Sequence, residues 1–182
     1  MTGLAAPMAG ERVRGEPMGE IHRAALKAAC AEDPDIWTIY ATNFGADGFD
    51  AGFDKIMALP WARFVLFAKN QDGGDELVGM SCFLGIDAER GVLEIGNTYY
   101  RPAWRGTGFN RRAKDMMLAR AFDAGFRRVE FRVDARNARS QAAMVRLGAV
   151  REGVMRADRV TWTGHVRDTV LFSILRDEFL AV

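Results

Sequence analysis

The feature that most constrains this chain is a pair of glycines, Gly106 and Gly108, set between a strand-like run at 92–100 (VLEIGNTYY) and a helix-like run after Asn110. Glycines one residue apart allow a sharp backbone bend that other residues resist. The helix that follows turns its unpaired N–H groups and the positive end of its dipole toward whatever lies above the bend. Such a turn suits phosphate oxygens, although a bare Gly-x-Gly also suits a tight strand-to-helix turn that holds nothing.

Residue identity narrows the phosphate compound. A nucleoside triphosphate loop ends in Gly-Lys-Ser/Thr, whereas Gly108 is followed by Phe109-Asn110. A dinucleotide fingerprint needs a third glycine where Arg111 stands, and a side chain there blocks close helix-to-strand packing. What remains is a pyrophosphate held by backbone amides, with Arg111, Arg112 and Lys114 nearby to meet further negative charge.

Upstream, 63–69, 76–84 and 92–100 read as three strands joined by hairpin signals at 70–75 (NQDGGD) and 85–91 (GIDAERG), which gives an antiparallel meander. A helix is expected over 19–30 from the spacing of Ile21, Ala24, Ala25 and Ala28, and a shorter one over 49–59 ahead of Pro60. Downstream, Met117, Leu118, Ala121 and Phe122 recur at helical spacing, and Val129, Phe131 and Val133 then alternate with charged residues. Strand, helix, strand implies a right-handed crossover returning parallel to the first strand. A helix over 140–147 ended by Gly148 and two strands, 149–156 and 168–175, complete the chain. Residues 1–18 are expected to be a flexible lead and 19–182 one domain.

Composition removes several function classes. Two histidines, His22 and His165, and two cysteines, Cys30 and Cys82, without C-x-x-C spacing argue against a metal centre. The net charge of +1 argues against a nucleic-acid partner. No apolar run approaches the length of a secretory core or a membrane span, so a cytoplasmic protein without a membrane role is expected.

Taken together, 93–100, 105–110, 129–137 with Ser140, 147–153 and 167–170 resemble the GNAT superfamily of acetyltransferases, and more closely its RimJ/RimL-type branch of ribosomal-protein N-terminal acetyltransferases. The resemblance implies an α/β (α+β) fold in a single domain. Its central mixed, mostly antiparallel sheet would be splayed between strands 4 and 5, with helices on both faces. It implies acetyl-coenzyme A as acyl donor. The pyrophosphate would lie on the loop Arg105, Gly106, Thr107, Gly108, Phe109 and Asn110, and the pantetheine arm would pair with backbone near Tyr99 and Tyr100. The loop matches the family pattern Gln/Arg-x-x-Gly-x-Gly/Ala at both glycines and departs from it at Ala103.

By the same resemblance Asn137 would hydrogen-bond the pantetheine arm, though asparagine is equally suited to capping a helix. Glu94 corresponds to a position where some members carry a catalytic glutamate, acting as general base. It is also placed to fix an arginine or to face solvent. Many members place a tyrosine, donor to the leaving thiolate, seven residues after the asparagine; Met144 stands there, leaving Ser140 as substitute donor or as a helix cap. Trp104, Trp162, His165 and Arg167 would line the acceptor groove, and Asp168 would pair with Arg167 or Arg156 to set the hairpin register. The expected activity is acetyl transfer from acetyl-CoA to a primary amine, either a protein N-terminus or a small molecule. The alternative is a catalytically silent acyl-CoA-binding module.

Overall fold

In a computed structural model, which describes residues 3–69 and 74–180, eight strands form one sheet. They are β1 (Met8–Gly10), β2 (Val13–Pro17), β3 (Ala62–Lys69), β4 (Asp75–Asp87), β5 (Val92–Tyr100), β6 (Arg128–Asp134), β7 (Val150–Val160) and β8 (Val166–Leu175). Their spatial order is β1-β2-β3-β4-β5-β6-β8-β7. Every neighbouring pair is antiparallel except β5 and β6, which are parallel. That one pair is bridged by α3 (Phe109–Asp123), the expected crossover. The other helices are α1 (Arg23–Cys30), α2 (Phe49–Met57), α4 (Ala138–Leu147) and α5 (Arg176–Leu180).

The sheet is covered on both sides because its strands carry apolar residues on both faces. On one face Leu66, Phe83, Leu93, Ile95, Val129 and Phe131 pack with Ala113, Met117 and Ala121 of α3. On the other, Val65, Met80 and Tyr99 pack with Leu26 of α1, Trp37, and Phe53 and Ile56 of α2.

Two expectations need correction. The first is the lead segment, where 8–17 forms β1 and β2 rather than a flexible arm. On β2 only Val13 and Gly15 point inward, an alternation too short and too glycine-rich to read from sequence. Arg120 of α3 fixes the preceding turn by donating to the carbonyls of Gly3, Ala6 and Pro7 at 2.6, 3.0 and 2.9 Å. Gly15 lets α3 come close, since a Cβ there would meet Met8 Cε at 3.2 Å and Met116 Cε at 3.5 Å. The second is the buried side of the first helix. It is Leu26, Ala29 and Cys30, while Ile21 is 89% exposed and lies in a 3-10 turn before α1. Most of the expected 70–75 hairpin lies outside the described residues.

Candidate active site

The sheet opens next to the glycine loop. Parallel pairing between β5 and β6 runs only from Val92↔Arg128 to Glu94↔Glu130; β5 then continues to Tyr100 while β6 stays with β8. A bulge steers β5 away: Met80 pairs with Tyr99 and Cys82 with Gly96, so Ser81 alone faces Asn97 and Thr98, with Asn97 at φ +48°. The opening forms part of a cavity of about 720 Å3 that reaches from Gly106 and Gly108 past Asn137 and Ser140 to Glu94 and Arg167. The far β5 edge therefore lacks a strand partner beside a cavity, the arrangement that accepts a ligand as a partial strand.

The loop residues divide by role. Gly106 and Gly108 lie at φ +80° and +82°, Gly106 with nothing within 4 Å of a Cβ placed on it, and Gly108 is the N-cap of α3. Asn110, in the first turn of that helix, lines the cavity. Thr107 serves the turn itself, donating to Trp104 O at 2.8 Å and accepting from Phe109 N at 3.4 Å. The Phe109 side chain is fully buried against Tyr100 and Trp104, so only its backbone belongs to the loop surface. Arg105 donates to Tyr100 O at 2.9 Å and pairs with Asp33, leaving a buried Nη2 without a partner. Tyr100 lines the cavity and its buried hydroxyl also lacks a partner, whereas the Tyr99 ring turns to the opposite core, stacks on Trp37 and donates to Ala29 O.

Asn137 takes the capping role that its residue type allows: its Oδ1 accepts from Ser140 N at 2.9 Å at the start of α4. Asn137 and Ser140 both line the cavity, and Ser140 is not the cap. Met144, buried at 4% exposure, also borders the cavity and offers no hydroxyl.

Glu94 sits where the sheet opens, its side chain 12% exposed and 3.5 Å from Arg132 Nε. Burial pushes its carboxyl up to about 7 against the opposing pull of Arg132, Arg159 and Arg167. Of the residues expected around the acceptor, Arg167 lines the cavity. Trp162 instead donates to Trp37 O at 2.6 Å, pinning the β7–β8 turn, and Trp104 packs on Phe109. His165 is exposed in that turn and outside the cavity lining. Asp168 accepts from Ala157 N at 2.7 Å, across a register shift in β7 where Ala157 has φ +50°, so it holds a bulge rather than an arginine.

Sequence reasoning missed the segment after α1: Ile36, Ile39 and Tyr40 wall the cavity, and Tyr40 donates to Thr98 O at 2.5 Å. It also missed the burial of Lys114, which lines the cavity as a cation near the loop but is 3% exposed and donates to Thr98 Oγ1 at 2.8 Å and Ser81 Oγ at 3.5 Å. Burial pushes this amine down to about 7. The available signal was its place on the apolar stripe with Met117, Leu118 and Ala121.

Fold and cavity define a class: a mixed α/β protein whose single sheet opens between β5 and β6 onto a cavity bordered by the Gly106–Gly108 loop. The particular family follows from comparison, because residues 12–150 match the acetyltransferase (GNAT) domain. The chain belongs to the GNAT acetyltransferase family. An uncharacterized N-acetyltransferase of Bacillus licheniformis, p20, is 31% identical over 118 residues, 64% of each chain, so the match spans just under two thirds of that relative. A structure described as a probable acetyltransferase of the GNAT family from Chromobacterium violaceum shares 32% identity and a TM-score of 0.86, covering 96% of this chain and 88% of its own. Two more distant structures share the fold at 17% identity. They are the ribosomal-protein-S5-alanine acetyltransferase of Vibrio fischeri (TM-score 0.73, 95% and 98% covered) and the spermidine N-acetyltransferase of Vibrio cholerae, in complex with CoA and spermine (0.74, 93% and 98%). Among the described residues there is no cluster of potential metal ligands and no helix long and apolar enough to cross a membrane.

Proposed function

We propose that the protein is an acyl-coenzyme A-dependent N-acetyltransferase that moves an acetyl group to a primary amine. The observation that carries this reading is one continuous cavity joining the Gly106–Gly108 loop, the unpaired edge of β5 and the buried Glu94. Orphaned buried donors at Arg105 Nη2 and Tyr100 Oη, and free space over Gly106, fit a ligand rich in acceptors. Acetyl-coenzyme A would supply an activated acyl group as its thioester. The amides of 105–110 would hold its pyrophosphate, and the β5 edge at Tyr99 and Tyr100, with Asn137, would hold its arm.

Acetyl transfer needs an unprotonated amine nitrogen, and a carboxylate that titrates near neutrality is suited to taking the amine proton. In this reading Glu94 is that base and the Ser140 hydroxyl donates to the departing sulfur. An α-amino group, with a pKa near ~8, makes a smaller demand on the base than a lysine side chain near ~10.4. The test is thiol release from acetyl-CoA by the full chain across a panel of amines, including peptides. Turnover that falls strongly in Glu94→Gln supports the assignment. Tight acetyl-CoA binding without turnover of any amine would favour the silent binding module instead.

A further inference from the structure

Glu94 does not stand alone at its end of the cavity. Three guanidiniums from three strands, Arg132 of β6, Arg159 of β7 and Arg167 of β8, line the same space and act on its carboxylate. Arg167 is the most buried of these, 6% exposed, and its nearest carboxylate, Asp134, is 4.0 Å away. Its Nε donates to Thr169 Oγ1 at 2.9 Å and its Nη2 to Arg132 O at 3.1 Å, and no protein acceptor meets Nη1 among the described residues. Burial and then the neighbouring Arg159 lower its pKa, as expected of a cation short of counter-charge.

The carboxylates around this group are largely committed elsewhere. Asp134 lines the cavity but accepts from Arg136 N, Nε and Nη2 at 2.9, 3.0 and 2.8 Å. Glu130 is held between Arg128 and Arg132, and Asp158 between Arg159 and Thr169; neither borders the cavity. Glu94 thus remains as the acid that faces the cavity without a hydrogen bond from its arginine neighbours. At 3.5 Å, its contact with Arg132 is an ion pair alone.

On the acetyltransferase reading above, we propose that the acceptor is a free α-amino acid with an apolar side chain, bound as its zwitterion. Its amino nitrogen lies on Glu94 and its carboxylate on the guanidiniums of Arg132, Arg159 and Arg167. In an α-amino acid the nitrogen and the carboxylate oxygens are about 3 Å apart, a spacing that fits an acid and a guanidinium separated by 3.5 Å. A planar carboxylate also matches the two-pronged donor face of arginine. The side chain would lie against Ile36, Ile39, Trp61 and Leu84, which wall the cavity. A peptide N-terminus carries a neutral amide where the carboxylate would be, and a polyamine brings further positive charge to three arginines.

The experiment measures kcat/KM with acetyl-CoA for apolar L-amino acids, each beside its amide and its decarboxylated amine; L-phenylalanine, L-phenylalaninamide and phenethylamine form one such set. The free acid is expected to exceed both partners by about 30-fold, the worth of one charge-assisted pair, in at least one set. Arg132→Gln, at a half-exposed position that the core does not depend on, is expected to reduce that acid-over-amide ratio at least tenfold, with Arg132→Lys restoring part of it. Turnover of amides, amines or a tripeptide N-terminus equal to or better than the acids would overturn the acceptor assignment and leave the acetyltransferase reading standing. Failure of every amine, with or without acetyl-CoA binding, would overturn both.

Discussion

Replacing Lys114 by methionine should make the protein more stable. The amine lies 3% exposed between α3 and the β5 bulge, with hydroxyls for partners and no carboxylate within salt-bridge range among the described residues. Burial lowers its pKa from 10.5 to about 7. A difference of about 3.5 units, at about 1.4 kcal/mol per unit, sets a ceiling near 5 kcal/mol on what the buried charge costs. Relaxation and residual hydration reduce that figure. Methionine nearly conserves the volume, and Thr98 and Ser81 stay bonded to one another at 2.7 Å. We expect Lys114→Met to gain about 2 kcal/mol at pH 7. Because the folded pKa is depressed, the fold binds fewer protons than the unfolded chain between about pH 7 and 10.5. Wild-type stability therefore rises with pH across that window, and the gain from the substitution shrinks toward zero. Urea unfolding followed by circular dichroism at pH 7, 8, 9 and 10 measures both effects. A variant less stable than wild type by more than about 1 kcal/mol, or a difference that does not change with pH, would refute a cost arising from the buried charge.

Other substitutions test neighbouring parts of the account. Glu94 has the opposite linkage: its folded pKa is raised to about 7, so its contribution is present below the unfolded value and lost as pH rises from about 4.5 through 7. Wild type should lose stability relative to Glu94→Gln over that window, as read by melting temperature against pH. In activity, the rise of kcat/KM through about pH 7 should disappear in the variant. Asn137→Ala removes the α4 cap and should cost about 1 kcal/mol in urea unfolding, with an added loss of acetyl-CoA affinity that a purely capping role would not produce. Gly79→Ala should destabilise by more than about 3 kcal/mol, since its Cβ would lie 2.0 Å from Tyr99 O, a backbone atom that cannot move without breaking the β4–β5 ladder.

The sequence carried the parts of the fold that rest on local pattern. β5 was legible as 92–100 from its bracketing turns, and α3 from Met117, Leu118, Ala121 and Phe122, because each signal is contained within one element. β1 and β2 were not, since they become strands by pairing with β3 and by accepting α3 onto Gly15. The glycine loop was legible from backbone requirements alone. The arginine group was hidden because Arg132 alternates with Phe131 and Val133 as any half-solvated strand would, and only the strand order β6-β8-β7 brings it beside Arg167 and Arg159. Lys114 was hidden by charged neighbours, Arg111, Arg112 and Asp115, which read as a solvated helix face.

The central claim, that the opened sheet and the Gly106–Gly108 loop form an acyl-coenzyme A site, is tested most directly by titrating wild type and Gly106→Trp with acetyl-CoA in a calorimeter. An indole at position 106 would project into the free space over the loop, and strain at φ +80° should cost about 1–2 kcal/mol, checked by a cooperative melt. One-to-one binding in the micromolar range or tighter is expected for wild type, abolished in the folded variant. Absence of binding by folded wild type, or equal affinity in the two proteins, would contradict the central claim.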